Sequence, residues 1–390
     1  MGRWVVGALV GLVATSAGLS ILSSTRADAG QSPRTLLSVG DSIGAGHGLG
    51  PDPNPYAHPP IVNTKANSAL VAAKGSYELI NLAQSGACVV ARHETAPIKA
   101  DPHTPTGCTR GVAQQLSVAF RHHIDANVMI LTVGAEDIRL PECFRFVVGL
   151  SGQATSPCSG SQFDTNLAAY AANLHRLFGF IGRTFPEARV MVTNYYNPMP
   201  PGNGTNVGTC DLLRVGYIAR SPATRLQQQA SNKAVFEKDA RQYQTAVYRN
   251  LTKTIDRLNA VIADNVNYWD RFFKFRLIDL STFAGHDTCR QYTRSARRQW
   301  EFGPIIKLHA TVHRAGQPQR VVSYNVDPGQ DCTRTCMAHD PRSTSAQPLK
   351  WCNANTSTYS ATCAWSADGS PYPTAGGQAE IAHIIEKYVV

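Results

Sequence analysis

Five short apolar segments, Thr35 to Val39, Tyr77 to Leu82, Val128 to Val133, Arg189 to Thr193 and Phe275 to Leu280, are separated by longer stretches with helical spacing. Strands that alternate with helices in this way imply a parallel sheet with helices on both faces. Two helices are plain from periodicity. Leu167, Tyr170, Leu174, Leu177 and Ile181 recur at steps of three and four, as do Val247, Leu251, Ile255, Leu258 and Ile262, and each set makes one apolar stripe directed at a core. A last helix is expected from an N-cap at Thr374 through Ile381, Ile384 and Ile385.

The alternation stops between about Cys289 and Trp365, where cysteine, Ser, Thr, Arg and Pro are frequent. This stretch (about 290–365) reads as a Cys-rich insertion with short β segments at Lys307 to His313 and Arg320 to Tyr324. A disulfide-pinned cap over the active-site end of the sheet and a separate binding module are the two forms it could take. The 390 residues fit one α/β domain with such an insertion, and no internal repeat is visible. A hydrophobic fraction of 43% with 16% charged residues is that of a globular chain.

Arg3 precedes an apolar run from Trp4 to Leu22 that ends in Ala27-Asp28-Ala29, a small-x-small sequence before Gly30. Residues 1–29 are therefore expected to be a cleaved export signal, the alternative being a single membrane anchor, and the chain from 30 to 390 the secreted domain. The cysteines all lie beyond that signal and their even number suits five disulfides in an oxidising compartment. Short spacings suggest Cys88 with Cys108 and Cys143 with Cys158. Cys210 with Cys289 is a further guess, leaving Cys332, Cys336, Cys352 and Cys363 to pair among themselves. A metal site at Cys332, Cys336 and His339 is the rival reading. The formal charge of +10 comes from scattered residues, with a modest cluster at Arg290, Arg294, Arg297 and Arg298. It suits a solvated face or an anionic envelope surface, and no nucleic-acid motif accompanies it.

The sharpest chemical signal is an apolar strand ending in Gly40-Asp41-Ser42, because open α/β sheets place ligands at the carboxyl ends of their strands. Asn81-Leu82-Ala83-Gln84-Ser85-Gly86-Ala87 follows the second strand and Gly134-Ala135-Glu136-Asp137 the third. With Phe283-Ala284-Gly285-His286, Cys289 and Tyr372-Pro373-Thr374-Ala375-Gly376-Gly377, these blocks resemble the SGNH (GDSL) esterases and lipases, and most closely their secreted, disulfide-rich actinobacterial branch. The resemblance runs from about Thr35 to the C-terminus. It implies a three-layer, doubly wound α/β fold of flavodoxin-like order, a serine nucleophile, an oxyanion hole and no cofactor.

By position, the resemblance makes Ser42 the nucleophile and the amides of Ser42 and Gly86 oxyanion donors, with Gly40, Asp41, Gly134 and Asp137 as motif residues. Two positions depart from it. Glu136 stands where the family has an Asn donor, and an ionised carboxylate accepts and repels an oxyanion; losing one such donor typically costs about 10²- to 10³-fold in rate. Tyr372 stands where the family has its His base, and an unperturbed phenol titrating near pH 10 does not take a serine proton at neutral pH. The family carboxylate before that His is also displaced, to Asp368. His47, His58, His286, His339 and His383 are the substitutes on offer, although each has a structural explanation: His47 is tied to the nucleophile's own segment, His286 belongs to a Gly-His block and His383 lies on the last helix. His309 and His313 imitate a helical metal pair, but Ala310 and β-branched neighbours favour a strand and no metal.

The preferred reading is a secreted hydrolase of lipid, acyl or sugar-acetate esters working through Ser42, with Tyr195, Tyr196 and Tyr372 as candidate pocket aromatics. The alternative, motivated by Glu136 and Tyr372, is a catalytically impaired scaffold that binds a lipid or glycan. A structural envelope protein, the third reading, rests on export and the cysteines alone.

Overall fold

This computed structural model describes residues 34–47, 49–93, 96–108, 110–147, 156–197, 232–281, 306–314, 320–326, 359–366, 373 and 375–389. The central sheet consists of β1 (Thr35–Gly40), β2 (Glu78–Asn81), β5 (Val128–Thr132), β6 (Arg189–Thr193) and β7 (Phe275–Ile278). All neighbours are parallel and the order is β2-β1-β5-β6-β7. Counted along this sheet alone, that is second-first-third-fourth-fifth, the flavodoxin-like doubly wound order. The expected strands are all present, with the first longer by one residue and the second, third and fifth shorter by one or two at their ends. β1 and β5 carry buried residues at nearly every position, as strands covered on both faces must.

The helices are α1 (Ser42–Ala45), α2 (Asn67–Gly75), α3 (Val112–Arg121), α4 (Leu140–Val147), α5 (Ser161–Thr184), α6 (Lys233–Trp269) and α7 (Ala375–Val389). Both stripes read from periodicity are buried, on α5 and α6. Helix α5 packs against the end of α6 and the turn beyond it where α5 has no side chains, because a Cβ at Gly179 would meet the ring of Trp269 and one at Gly182 the ring of Phe273. Helix α7 packs on α2, and the Tyr77 hydroxyl donates to the Val389 carbonyl at 3.1 Å. The expected N-cap, Thr374, lies outside the described residues.

Two expected disulfides are present. Cys88–Cys108 joins the short parallel pair β3 (Ala87–Cys88) and β4 (Arg110–Gly111) across a 20-residue separation, and Cys143–Cys158 ties α4 to the start of α5. Closing loops of this length contributes about 3 kcal/mol each in the chain-entropy picture. Of the other cysteines, Cys363 stands in the described segment 359–366, while Cys210, Cys289, Cys332, Cys336 and Cys352, with His286 and His339, lie outside the described residues, as therefore do the remaining pairings. In the Cys-rich stretch, the two expected β segments are strands β8 (Ile306–Arg314) and β9 (Arg320–Val326). They form an antiparallel sheet of order β10-β8-β9 with a strand the periodicity did not reveal, β10 (Tyr359–Ser366). His309 and His313 thus lie on a strand and not on one helix face. Among the described residues, no helix is long and apolar enough to cross a membrane.

Replacing Gly182 by Ala sets a Cβ 2.2 Å from the Phe273 ring. Overpacking of this kind should lower stability by about 1–3 kcal/mol in urea unfolding. Gly182→Ala melting with the wild type would mean that the contact between α5 and Phe273, in the turn after α6, yields without strain.

Candidate active site

The chain leaves β1 through a turn that only glycine suits. Gly40 has φ +145°, and a Cβ there would lie 2.2 Å from the Thr132 carbonyl oxygen on β5. Gln115 of α3 fixes this residue from the side: its Nε2 donates to Gly40 O at 2.9 Å and its Oε1 accepts from Gly40 N at 2.8 Å. Asp41 then caps α1, accepting from the Ile43 amide at 2.9 Å, so that Ser42 opens a single buried turn. The Ser42 carbonyl accepts from the amide of His47 at 2.9 Å, and Gly46 closes the turn in the left-handed region.

The backs of the neighbouring loops are tied to this turn. The amide of Gln84 donates to Gly40 O at 3.0 Å, which draws the loop after β2, with Ser85 and Gly86, across the end of β1. Gly86 has φ +79°. Asp41 N donates to Thr132 O at 2.8 Å. Beyond β6, the Tyr195 hydroxyl donates to Asp41 Oδ2 at 2.5 Å and accepts from the Ala135 amide at 3.1 Å, joining three loops through one oxygen. Asn259 of α6 clamps the Tyr195 backbone, accepting from its N–H at 2.9 Å and donating to its carbonyl at 2.7 Å.

Two carboxyl groups are fully buried behind this surface. Burial pushes Asp41 up to about 6, against the opposing hydrogen bonds from Tyr195 and the Ile43 amide. Burial pushes Asp137 higher, to about 8, helped by the negative charges of Glu136 and Asp41 and opposed by the Val89 amide, which donates to it at 3.0 Å. Asp137 is therefore mostly protonated at neutral pH. Burial and the charge of Asp41 hold the Tyr195 phenol well above its ordinary value, so it remains a donor.

Ser42 lines a small apolar cavity of about 50 Å³ with Ile43, Ala135, Leu140, Phe144, Tyr195, Tyr196, Leu251 and Ile255 among its walls. The expected pocket aromatics Tyr195 and Tyr196 are therefore at the site. Glu136 lines a different cavity, a polar one with Arg92, His103, Arg139, Gln162 and Asn166. The segment 135–142 divides the two, with Ala135 and Leu140 facing the first and Glu136, Arg139 and Glu142 the second. Tyr372 and Asp368 lie outside the described residues. His58 is exposed, and His383 is an exposed residue of α7 whose Nδ1 is 3.7 Å from Glu386. Among the described residues, no group of three or more His, Cys, Asp and Glu is placed to hold a metal ion.

One candidate base is joined to other polar groups. His47 Nδ1 is 2.8 Å from Ser85 Oγ, and the Asp52 carboxylate accepts from both the Ser85 amide, at 2.8 Å, and its hydroxyl, at 2.7 Å. Arg110 is paired with Asp52 at 3.5 Å. Periodicity and motif reading do not reach Asp52, Gln115, Asn259 or Gln378. The one signal for the last three is a polar residue set into an apolar stripe, as Gln115 is beside Val112, Leu116 and Ala119.

No family model and no curated protein matches the chain. Solved structures similar to it include an extracellular lipase from Streptomyces rimosus, 17% identical with a TM-score of 0.39 over 69% of this chain and 88% of that one. Phospholipase A1 from Streptomyces albidoflavus NA297 is 14% identical, with a TM-score of 0.36 over 70% and 88%. A carbohydrate esterase family 2 enzyme with a carbohydrate-binding domain, from Corynascus thermopiles (Myceliophthora fergusii), is 16% identical, with a TM-score of 0.33 over 65% and 58%. What the chain's own strand order defines is a doubly wound α/β protein, with Gly40-Asp41-Ser42 at its switch point.

The buried carboxyls fix the sign of a pH effect. Folded Asp137 keeps its proton to about pH 8, whereas the unfolded side chain releases it near 3.8, so the unfolded state holds fewer protons across that window. Stability should fall as pH rises from about 4 to 8, by up to about 1.4 kcal/mol per pH unit, with Asp41 adding to the slope below about 6. Asp137→Asn keeps an acceptor for the Val89 amide and should flatten the pH 6–8 part in urea unfolding. An unchanged slope would refute the assignment.

Proposed function

We propose that this protein is an SGNH-type serine hydrolase of carboxylic esters with short acyl chains. The observation that carries the reading is Ser42, on the first turn beyond β1 at the switch point of the sheet, lining an apolar cavity with the Gly86 loop drawn over the same strand end. In this reading Ser42 Oγ attacks the ester carbonyl and the amides of Ser42 and Gly86 receive the negative charge that develops on the carbonyl oxygen. The acyl chain enters between Ile43, Leu140, Phe144, Leu251 and Ile255, where an alkyl group replaces water at apolar walls. The small volume favours acetyl to butyryl groups over long fatty acyl chains.

Glu136 bears on the reading less than its place in the motif suggests, because it lines the polar cavity on the far side of the segment 135–142. A site with two backbone donors and no third is still a working oxyanion hole, weakened by about 10²- to 10³-fold relative to one with all three. Export to the cell exterior is part of the proposal and agrees with the disulfides Cys88–Cys108 and Cys143–Cys158. The substitution at Tyr372 favours a second reading, in which the cavity binds an acyl or glycan ligand without turnover.

Hydrolysis of p-nitrophenyl acetate, butyrate and palmitate by the purified protein separates the two. The expected result is release of nitrophenol from the short esters, at least ~10-fold faster than from palmitate, with Ser42→Ala reducing it by ~10³-fold or more. An inert wild type that gains activity as Tyr372→His would instead support the binding scaffold.

A further inference from the structure

We propose that His47 is the general base that takes the proton of Ser42, oriented through Ser85 by Asp52; this rests on the ester-hydrolase reading above. The argument is one of proton counting. A carboxylate only accepts, so the single hydroxyl hydrogen of Ser85 is committed to Asp52 Oδ1, 2.7 Å away. Ser85 Oγ can then only accept from His47 Nδ1, at 2.8 Å, which places a hydrogen on Nδ1 and, in the neutral imidazole, the lone pair on Nε2. This is the tautomer a serine base needs. The second Asp52 oxygen accepts from the Ser85 amide, at 2.8 Å, so the orienting carboxylate also fixes the backbone immediately before Gly86, the proposed oxyanion donor.

Position supports the assignment. The His47 amide donates to the Ser42 carbonyl at 2.9 Å, so the imidazole begins one turn beyond the nucleophile, and its Nδ1 is anchored on the loop that carries Gly86. The Ser42 proton passes to His47 Nε2, directly or through one water, as Oγ bonds to the ester carbon and the carbonyl π pair moves onto oxygen. The imidazolium keeps its Nδ1 hydrogen on Ser85, with the Asp52 carboxylate behind it. When the tetrahedral adduct collapses, the C–O bond to the leaving group breaks and Nε2 returns the proton to the departing alkoxide. Water then repeats the sequence on the acyl-serine and regenerates Ser42.

The test uses the full-length chain, p-nitrophenyl acetate turnover and labelling of Ser42 by a fluorophosphonate. His47→Gln should lower both rates by ~10³-fold with an unchanged circular dichroism spectrum. His47→Gly should be partly restored by added imidazole, a readout that a purely structural role would not move. Asp52→Asn can reverse the hydrogen on Ser85 and so the tautomer of His47, and should lower kcat by ~10²-fold with little change in KM. If Ser42→Ala abolishes turnover while His47→Gln stays within 10-fold of wild type, or imidazole restores nothing, His47 is not the base and the hydrolase reading stands. A wild type that neither turns over nor labels removes both.

Discussion

Helix α1 is one turn long, and a turn that short leaves most of its carbonyls without helical partners. Side-chain amides from three separate segments supply what the helix lacks. Gln378 on α7 donates to Ile43 O at 3.1 Å, Asn81 at the end of β2 donates to Gly44 O at 3.3 Å, and Asn63 donates to both Ala45 O and Gly46 O at 2.9 Å. All three amides are buried, and losing Asn63 or Asn81 would strand a buried acceptor, at a cost of about 1–3 kcal/mol, whereas Ile43 O also accepts from the Gly46 amide at 3.2 Å. The remaining valences of these amides are spent locally: Gln378 Oε1 accepts from both Asn67 N and Asn67 Nδ2, and Asn81 Oδ1 accepts from the Ala83 amide. The turn that carries Ser42 is thus defined by distant parts of the chain meeting on it.

The same logic governs the electrostatics. If Ser42 works as proposed, the site must gather negative charge on a carbonyl oxygen and would be poorly served by anions buried beside it, and Asp41 and Asp137 are both buried. Burial resolves the conflict for Asp137, which holds its proton at neutral pH and so adds no charge. Asp41 is different: with about 6 as its midpoint it is ionised at neutral pH, but the Tyr195 hydroxyl and the Ile43 amide both donate to it and spread its charge away from Ser42 Oγ. Tyr195 gains a structural task from this, since the hydroxyl that donates to Asp41 also accepts from the Ala135 amide.

The strands, the two long helices and two disulfides were legible in the sequence because each rests on local pattern: apolar runs, steps of three and four, and short cysteine spacings; the order of the strands came only with the family resemblance. Ser42 was legible for the same reason, as a strand followed at once by Gly-Asp-Ser. The clamps were not. Gln115 meets Gly40 across 75 residues and Gln378 meets Asn67 across 311, separations at which no periodic signal operates. The role of His47 was hidden differently, because its partners Ser85 and Asp52 acquire meaning only when the loop after β2 is laid across the end of β1. Strand β10 escaped because its neighbours in sequence have no strand or helix period of their own.

The substitution at Glu136 shows how a motif position can change meaning without the fold changing. Gly134 takes φ +139° with the Tyr170 hydroxyl where a Cβ would be, and that hydroxyl donates to the Val133 carbonyl, so the backbone entering the segment 135–142 is set by glycine and by α5. Ala135 and Leu140 complete the apolar wall at Ser42, and Glu136 falls on the polar side with Arg139 and Gln162. A carboxylate there is solvated by a polar cavity and separated from the nucleophile by the backbone that carries it. Under the proposed hydrolase reading, an acidic residue at this point leaves the oxyanion hole one donor short without placing a charge inside it, and the loss would fall on rate while the fold is left intact.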